Sequence, residues 1–374
     1  MELLLRKGHV FTPHYAGVAD VLIENGVITC IRENIRVSAF ACAREIDAAG
    51  CFIMPGFIDT HVHIAGGGGE KGESSLIPPL NVDDLLKNGI TSCLGVLGYE
   101  KKKKTPQMLY AQAAEFEKEG LEALALSGSY HMPLTTVYRT IAEDMESIFA
   151  CRGAGEIALM DSRSPGISLE DIVLLLQTIH KTMKKTDKPL KAVFHIGNKA
   201  EDLSLLFRMA KVYEHSASIA IPTHINRNEG VLKDAVDYIK MGGFADVTAG
   251  ILPEEKEKYG MIPAPEALKH IYENTGSFKN VTLSSDAGGS VPVYDEEGDI
   301  TGYGVAKASS LLYDIQAAYR MGLKLSDILQ TVTVNPKEAY GFAGGEICEG
   351  AAAAINITDD DLYLKYTVVK DRII

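Results

Sequence analysis

Tryptophan is absent from the chain and aromatic residues of all kinds make up only 7% of it. The missing tryptophan excludes nothing by itself, but the other shortages do. No run of about 18 consecutive apolar residues occurs, which excludes an ordinary membrane-spanning helix. The opening segment, Met1 to Lys7, is too short and wrongly flanked for a secretory signal, so a cytoplasmic protein is expected. Positive charge is scarce: 37 Lys and Arg stand against 50 Asp and Glu, a formal net charge of −13. That balance argues against nucleic acid and anionic membranes as partners. The six cysteines (Cys30, Cys42, Cys51, Cys93, Cys151 and Cys348) contain no Cys-x-x-Cys pair and no framework spacing. Reduced thiols are expected.

What is present is a long alternation of apolar strands with amphipathic helices, over 374 residues. Strands are predicted at 53–63, 91–97, 122–128, 155–160, 191–196, 219–225, 244–249 and 281–285. Helical stretches fall near 81–88, 105–119, 137–150, 168–185, 200–215, 229–241, 264–275 and 307–321. Thr105-Pro106 sets a capping residue before a proline at the first helical position, and Ser168 with Asp171 fits a capping box. Eight such units predict an α/β fold, a (β/α)8 TIM barrel, spanning 53–344. Short β segments at 1–52, with a hairpin turn at Asn25-Gly26, and β-like text at 345–374 predict a small β-sandwich domain built from both chain ends. Further helix is expected from Leu325 to Phe342. The run Lys101 to Lys104 reads as a solvated loop.

Chemistry in such a barrel gathers at the C-terminal ends of its strands. The first strand ends in His61-Val62-His63; alternation puts both imidazoles on one face, half of a metal's ligand set. Gly66-Gly67-Gly68-Gly69 follows, a permissive backbone that delivers Glu70. The fourth strand carries Glu156 and leads to Asp161 and Arg163. His195 ends the fifth, His224 the sixth, and Asp286 the eighth. Four of ten histidines and two carboxylates meeting in one mouth suit two divalent ions that share a bridging carboxylate and a hydroxide. Asp286, as both ligand and base, can carry a proton from water to a leaving amine. His131, beside Tyr130, is read as structural, and His180, His215 and His270 as helix-surface residues.

With those residues in place the chain resembles the amidohydrolase superfamily, and within it the isoaspartyl (β-aspartyl) dipeptidase family. The match extends over nearly the whole sequence. It rests on His61-Val62-His63 with the tetraglycine and Glu70, on Gly128-Ser129-Tyr130-His131, and on Asp161-Ser162-Arg163. Phe194-His195-Ile196-Gly197, Pro222 to Asn228 and Ser284 to Ser290 complete it. The resemblance implies a metallo-dipeptidase with two divalent ions, zinc by expectation, held by His61, His63, Glu156, His195, His224 and Asp286. It further implies that Glu70 meets the substrate ammonium, that Arg163, Arg227 and Ser290 hold carboxylates, and that Tyr130 donates to the oxyanion. Arg163 could instead pair with Asp161, and Tyr130 could be core. A small dipeptide substrate and a homo-oligomer, as large as an octamer, belong to the same expectation. Other amide hydrolysis on the same scaffold, of N-acyl amino acids or cyclic amides, is the alternative, and a non-catalytic scaffold barrel a further one. The sequence departs from the family at Glu156, where relatives carry a carboxylated lysine whose arm is longer by three bonds, roughly 3–4 Å. Lys191, the neighbouring lysine, stands at a strand start. A second departure is Ala351 to Ala354.

Overall fold

The computed structural model describes residues 2–36, 44–294 and 300–374; Cys42 lies outside them. The barrel strands are β1 (Phe57–Val62), β2 (Ile90–Gly95), β3 (Glu122–Ser127), β4 (Cys151–Leu159), β5 (Lys191–Ile196), β6 (Ala220–Thr223), β7 (Ala245–Thr248) and β8 (Val281–Ser284). β1 to β6 are neighbours in sequence order within one curled parallel sheet, and β7 pairs with β8. Two seams remain. Across the first, Ile225 N–H donates to the Asp246 carbonyl of β7 at 3.2 Å. Across the second, Val62 and Ala287 form a parallel bridge, and His63 N–H reaches the Ala287 carbonyl at 2.8 Å. Lower down, β1 and β8 part around an inserted segment. Ile58 N–H donates to Val332 (2.7 Å) and Leu283 N–H to Thr331 (3.1 Å). The described cysteines form no disulfide, and no described helix is long and apolar enough to cross a membrane.

The helices begin where side-chain chemistry starts them. Thr105 accepts from Met108 N–H and Ser168 from Asp171 N–H, each relieving an amide that has no intrahelical partner. Leu169–Thr186 buries Ile172, Leu175, Leu176 and Ile179, a stripe at helical spacing that faces the sheet. The helix expected at 200–215 is two, Ser204–Val212 and Ser216–Ile219. The one expected at 325–342 is also two, Leu325–Gln330 and Val334–Tyr340, because Thr331 and Val332 leave helical pairing to serve the barrel wall. A hairpin, Ser290–Tyr294 with Ile300–Val305, rises after β8 and has no counterpart among the predicted elements.

Both chain ends enter one eight-stranded sheet, in which Phe52–Pro55 pairs with Glu2–Phe11 on one side and Ala354–Thr358 on the other. Hydrogen bonding is continuous through it, and Glu2–Phe11 also pairs with Arg44–Asp47. The long strand expected at 53–63 is broken accordingly: its first part belongs to this sheet and its second is β1. Gly56 stands at the break, where a Cβ would meet Thr91 Oγ1 at 2.2 Å. Only glycine lets the sheet lie that close to β2. Ala354 opens the strand that departs from the family text. The Lys101–Lys104 run is only partly solvated: Lys104 is buried, its ammonium donating to the carbonyls of Ala65 (2.5 Å) and Ile77 (2.9 Å).

Asp314, on the helix Ser309–Arg320, is buried against Gly250 N–H at 2.8 Å. Burial pushes its carboxyl up to about 6, and that hydrogen bond opposes the rise only in part. Folding therefore favours the protonated acid. Its contribution is complete below the unfolded value near 4 and is lost as pH rises through about 6. Asp314→Asn cannot titrate. Between pH 4 and 8 its stability relative to the parent should improve by about 3 kcal/mol, at roughly 1.4 kcal/mol per pKa unit. Urea unfolding at both pH values measures this; a constant difference would show that Asp314 keeps its ordinary acidity.

Candidate metal centre and substrate pocket

Glu156 sits at the centre of the mouth. Its Oε2 lies 2.9 Å from His195 Nδ1, 3.3 Å from His61 Nε2 and 3.9 Å from His224 Nε2, and its Oε1 lies 3.4 Å from His63 Nε2. Asp286 Oδ1 is 3.1 Å from His63 Nε2 and 3.8 Å from His61 Nε2. Two ligand groups emerge, His61–His63–Glu156 and Glu156–His195–His224, with Glu156 common to both. The six residues proposed from sequence are thus brought together, and Lys191 is not among them. It sits at the base of β5, its ammonium on the Ser218 carbonyl at 2.6 Å and over the Phe244 ring.

Local backbone makes this convergence possible. The ladder between β4 and β5 slips in register around Gly155 and Glu156, and that between β3 and β4 slips between Cys151 and Ala154; a bulge of this kind re-aims a strand side chain. Gly153, with φ 127°, allows the approach of β5: a Cβ there would lie 1.8 Å from the Lys191 carbonyl oxygen. His224 (φ 63°) and Asp286 (φ 55°) both adopt the left-handed region. A non-glycine residue there costs on the order of 1–3 kcal/mol, and such strain gathers at sites that turn a strand end inward.

The electrostatics match a cation site. Burial alone would raise the Glu156 carboxyl, but the imidazoles of His61 and His195 hold it well below the usual carboxylate range. Burial depresses His61, yet the charge of Glu156 prevails and lifts it to about 9. Burial, aided by nearby His195, takes His224 down to about 3, so its ring is neutral. His61 Nδ1 and Nε2, His63 Nδ1, His224 Nε2 and Asp286 Oδ1 are shielded from water without a hydrogen-bond partner. Orphaned nitrogens and carboxylate oxygens in this mixture are the donor set of zinc and similar divalent ions.

Outer contacts select the ring tautomers. His224 Nδ1 lies 2.6 Å from Thr248 Oγ1, which leaves Nε2 for the cluster. His195 Nε2 lies 3.3 Å from Asp161 Oδ2 and 2.6 Å from the Tyr130 hydroxyl, which leaves Nδ1 for the cluster. Burial raises the Tyr130 phenol well above its ordinary value, so it keeps its proton. Asp161 would rise on burial, but His195 and Arg163 hold it far below the carboxylate range.

Around this centre lies a pocket lined by Glu70, Tyr99, Asn198, Arg227, Ser290 and Tyr303, among others. Glu70 Oε1 accepts from Ser290 Oγ at 2.5 Å and faces Arg163 Nη1 at 3.4 Å, while its buried Oε2 has no partner. Arg227 is fastened through Nε to the Ile196 carbonyl at 2.8 Å. Arg163 grips Asp161 through Nε and Nη2 at 2.9 Å each and donates to Tyr130. The ion pair with Asp161, left open on sequence, is what forms. His131 packs on Tyr99 outside the cluster, while His215 and His270 are exposed and His180 bonds Tyr213. Sequence reasoning passed over Asp246, which accepts from hydroxyls beside the ligands, and Thr248, which holds the His224 ring. The available signal was a carboxylate at an alternating position inside otherwise apolar strands.

The sequence pattern of the amidohydrolase family matches residues 52–374. The chain belongs to the amidohydrolase family. The β-aspartyl dipeptidase of Fervidobacterium islandicum AW-1, solved with a beta-Asp-Leu dipeptide, is 31% identical with a TM-score of 0.91, covering 100% of this chain and 96% of that one. The dihydroorotase of Lactococcus lactis is 24% identical, over 96% of this chain and 90% of its own. A D-hydantoinase, at 13% identity and a TM-score of 0.69, shares the fold. This family membership and the clustered ligands make the chain a metal-dependent hydrolase, and the resemblance to the β-aspartyl dipeptidases stands.

Lys104 holds the glycine loop from beneath by its bonds to Ala65 and Ile77. Lys104→Met keeps the length and removes the donors, leaving two buried carbonyls unpaired at about 1–3 kcal/mol each. Denaturant unfolding should show a loss of about 2–6 kcal/mol for the two together. An unchanged midpoint would mean that water replaces the ammonium.

Proposed function

We propose that the chain hydrolyses the isopeptide bond of β-aspartyl (isoaspartyl) dipeptides, using two divalent ions, zinc in the first instance. The observation that carries this reading is Glu70. A buried carboxylate with one unpartnered oxygen, presented by a glycine loop into the pocket beside the ligand cluster, suits a substrate ammonium. His61, His63, Glu156, His195, His224 and Asp286 hold the ions, with Glu156 as the shared ligand. Bound there, such ions polarise the scissile carbonyl and acidify water.

The chain's own groups do the rest. Asp286, the most open of the ligands with a side chain 21% exposed, takes the proton from attacking water and passes it to the leaving amine. Tyr130, neutral and held between His195 and Arg163, donates its O–H to the oxygen of the carbonyl under attack. Arg227 and Ser290 receive carboxylates. Arg163, already engaged by Asp161, positions Tyr130 and borders Glu70, and any carboxylate contact it makes comes through Nη1. Cyclic amide hydrolysis is the second reading, favoured by the dihydroorotase relatives. A dihydropyrimidine offers no ammonium for Glu70.

A panel of β-aspartyl dipeptides, their N-acetyl derivatives and dihydroorotate tests the choice. Turnover confined to the free-amine dipeptides is expected; preference for the cyclic amide overturns the reading. Glu70→Gln should cost about 1.5–3 kcal/mol in transition-state binding, the value of a charged hydrogen bond, for free-amine substrates only. An equal loss on acetylated substrates would detach Glu70 from the ammonium. Asp286→Asn keeps one ligand oxygen and loses the base, so kcat should fall by about 10²–10⁴. A variant with altered KM alone would make Asp286 a binding residue.

A further inference from the structure

Below the ligand cluster, Asp246 on β7 is buried and accepts hydrogen bonds from four hydroxyls. Thr60 of β1 (3.0 Å) and Thr282 of β8 (2.6 Å) reach its Oδ1; Thr223 of β6 (2.7 Å) and Ser284 of β8 (2.6 Å) reach its Oδ2. All four donors are buried. These donors border the ligands: Thr60 precedes His61, Thr223 precedes His224, and Ser284 lies two residues before Asp286. Asp246 also spans both seams of the barrel, where β6 meets β7 and β8 meets β1 without an extended ladder. Two residues further along β7, Thr248 orients the His224 ring.

We infer that Asp246 is the positioning residue of the metal centre. One carboxylate sets the spacing among the strands that carry His61 and His63, His224 and Asp286, where backbone pairing across the two seams is limited to isolated contacts. It touches neither ion nor substrate. Threonine and serine hydroxyls are short and fix their strands closely, whereas a hydrophobic contact at the same place would permit sliding. The inference rests on the metal centre and not on the choice of dipeptide, so it is tested without substrate.

Asp246→Asn keeps the shape but replaces one acceptor oxygen with an N–H donor, which opposes two of the hydroxyls. Apo protein is titrated with Zn²⁺ against a chromophoric chelator, and the Co²⁺-loaded form is followed by its visible absorption. Zinc affinity is expected to fall at least tenfold, with a changed Co²⁺ spectrum. Asp144→Asn is the control. Asp144 is also buried and accepts from Ser127 Oγ and from Val137 and Tyr138 N–H, none of which neighbours a ligand in sequence. It should lower thermal stability while leaving zinc affinity and the Co²⁺ spectrum unchanged. If Asp246→Asn behaves like this control, Asp246 is merely structural and the inference fails. Should Asp246→Asn not fold, Thr282→Val and Thr282→Ser decide: valine should weaken zinc binding and serine should restore it. Equal zinc affinity in both overturns the assignment, as does failure of the centre to bind metal in the parent protein.

Discussion

A carboxylate buried among four imidazoles is the constraint from which the centre of this molecule follows. Glu156 cannot remain anionic away from water unless positive charge or hydrogen-bond donors surround it, and the surrounding groups are His61, His63, His195 and His224. Those four arrive from the ends of three strands, β1, β5 and β6, and Glu156 comes from a fourth, so the sheet must curl until their ends meet. The register slips of β4, the left-handed backbone at His224 and Asp286, and the outer partners Thr248 and Asp161 all aim side chains at this point. A divalent cation resolves the problem that the carboxylates create, and family membership agrees with that chemistry.

Much of this was legible in the residues because two periodicities carry it. Alternation placed His61 and His63 on one face, and the eightfold recurrence of strand and helix located the mouth. The caps at Thr105 and Ser168 were readable because their chemistry is local. What escaped reading depended on partners distant in sequence. Lys104 looked like part of a solvated charge run, and only the folded loop supplies the carbonyls of Ala65 and Ile77 that bury it. The break at Gly56 was invisible because an apolar strand passing from one sheet to another leaves no change in pattern. Asp246 resembled any polar residue in a strand until four hydroxyls from three other elements were seen around it.

The outer lining of the pocket lies on a different layer from the ligand cluster. The ligands stand on or just beyond strands, while Glu70, Ser290 and Tyr303 come from a glycine loop and a hairpin above them. The β-aspartyl dipeptidase and the D-hydantoinase share one scaffold at very different identity to this chain, 31% and 13%. A barrel can keep its course while its loops change, because loops run over the surface of a rigid scaffold.

The inserted pair Thr331 and Val332 bears on how the chain is made. These two residues supply the carbonyls that Ile58 and Leu283 need, so the wall between the first and last strands stays incomplete until they arrive. Ribosomes deliver the chain from its N-terminus, and His61 emerges long before Val332. Throughout that interval the edge of β1 lacks its final partners, and β8 itself is made only near its end. An open parallel edge is adhesive, so the edge of β1 is exposed to wrong pairing until the last part of the chain supplies its cover.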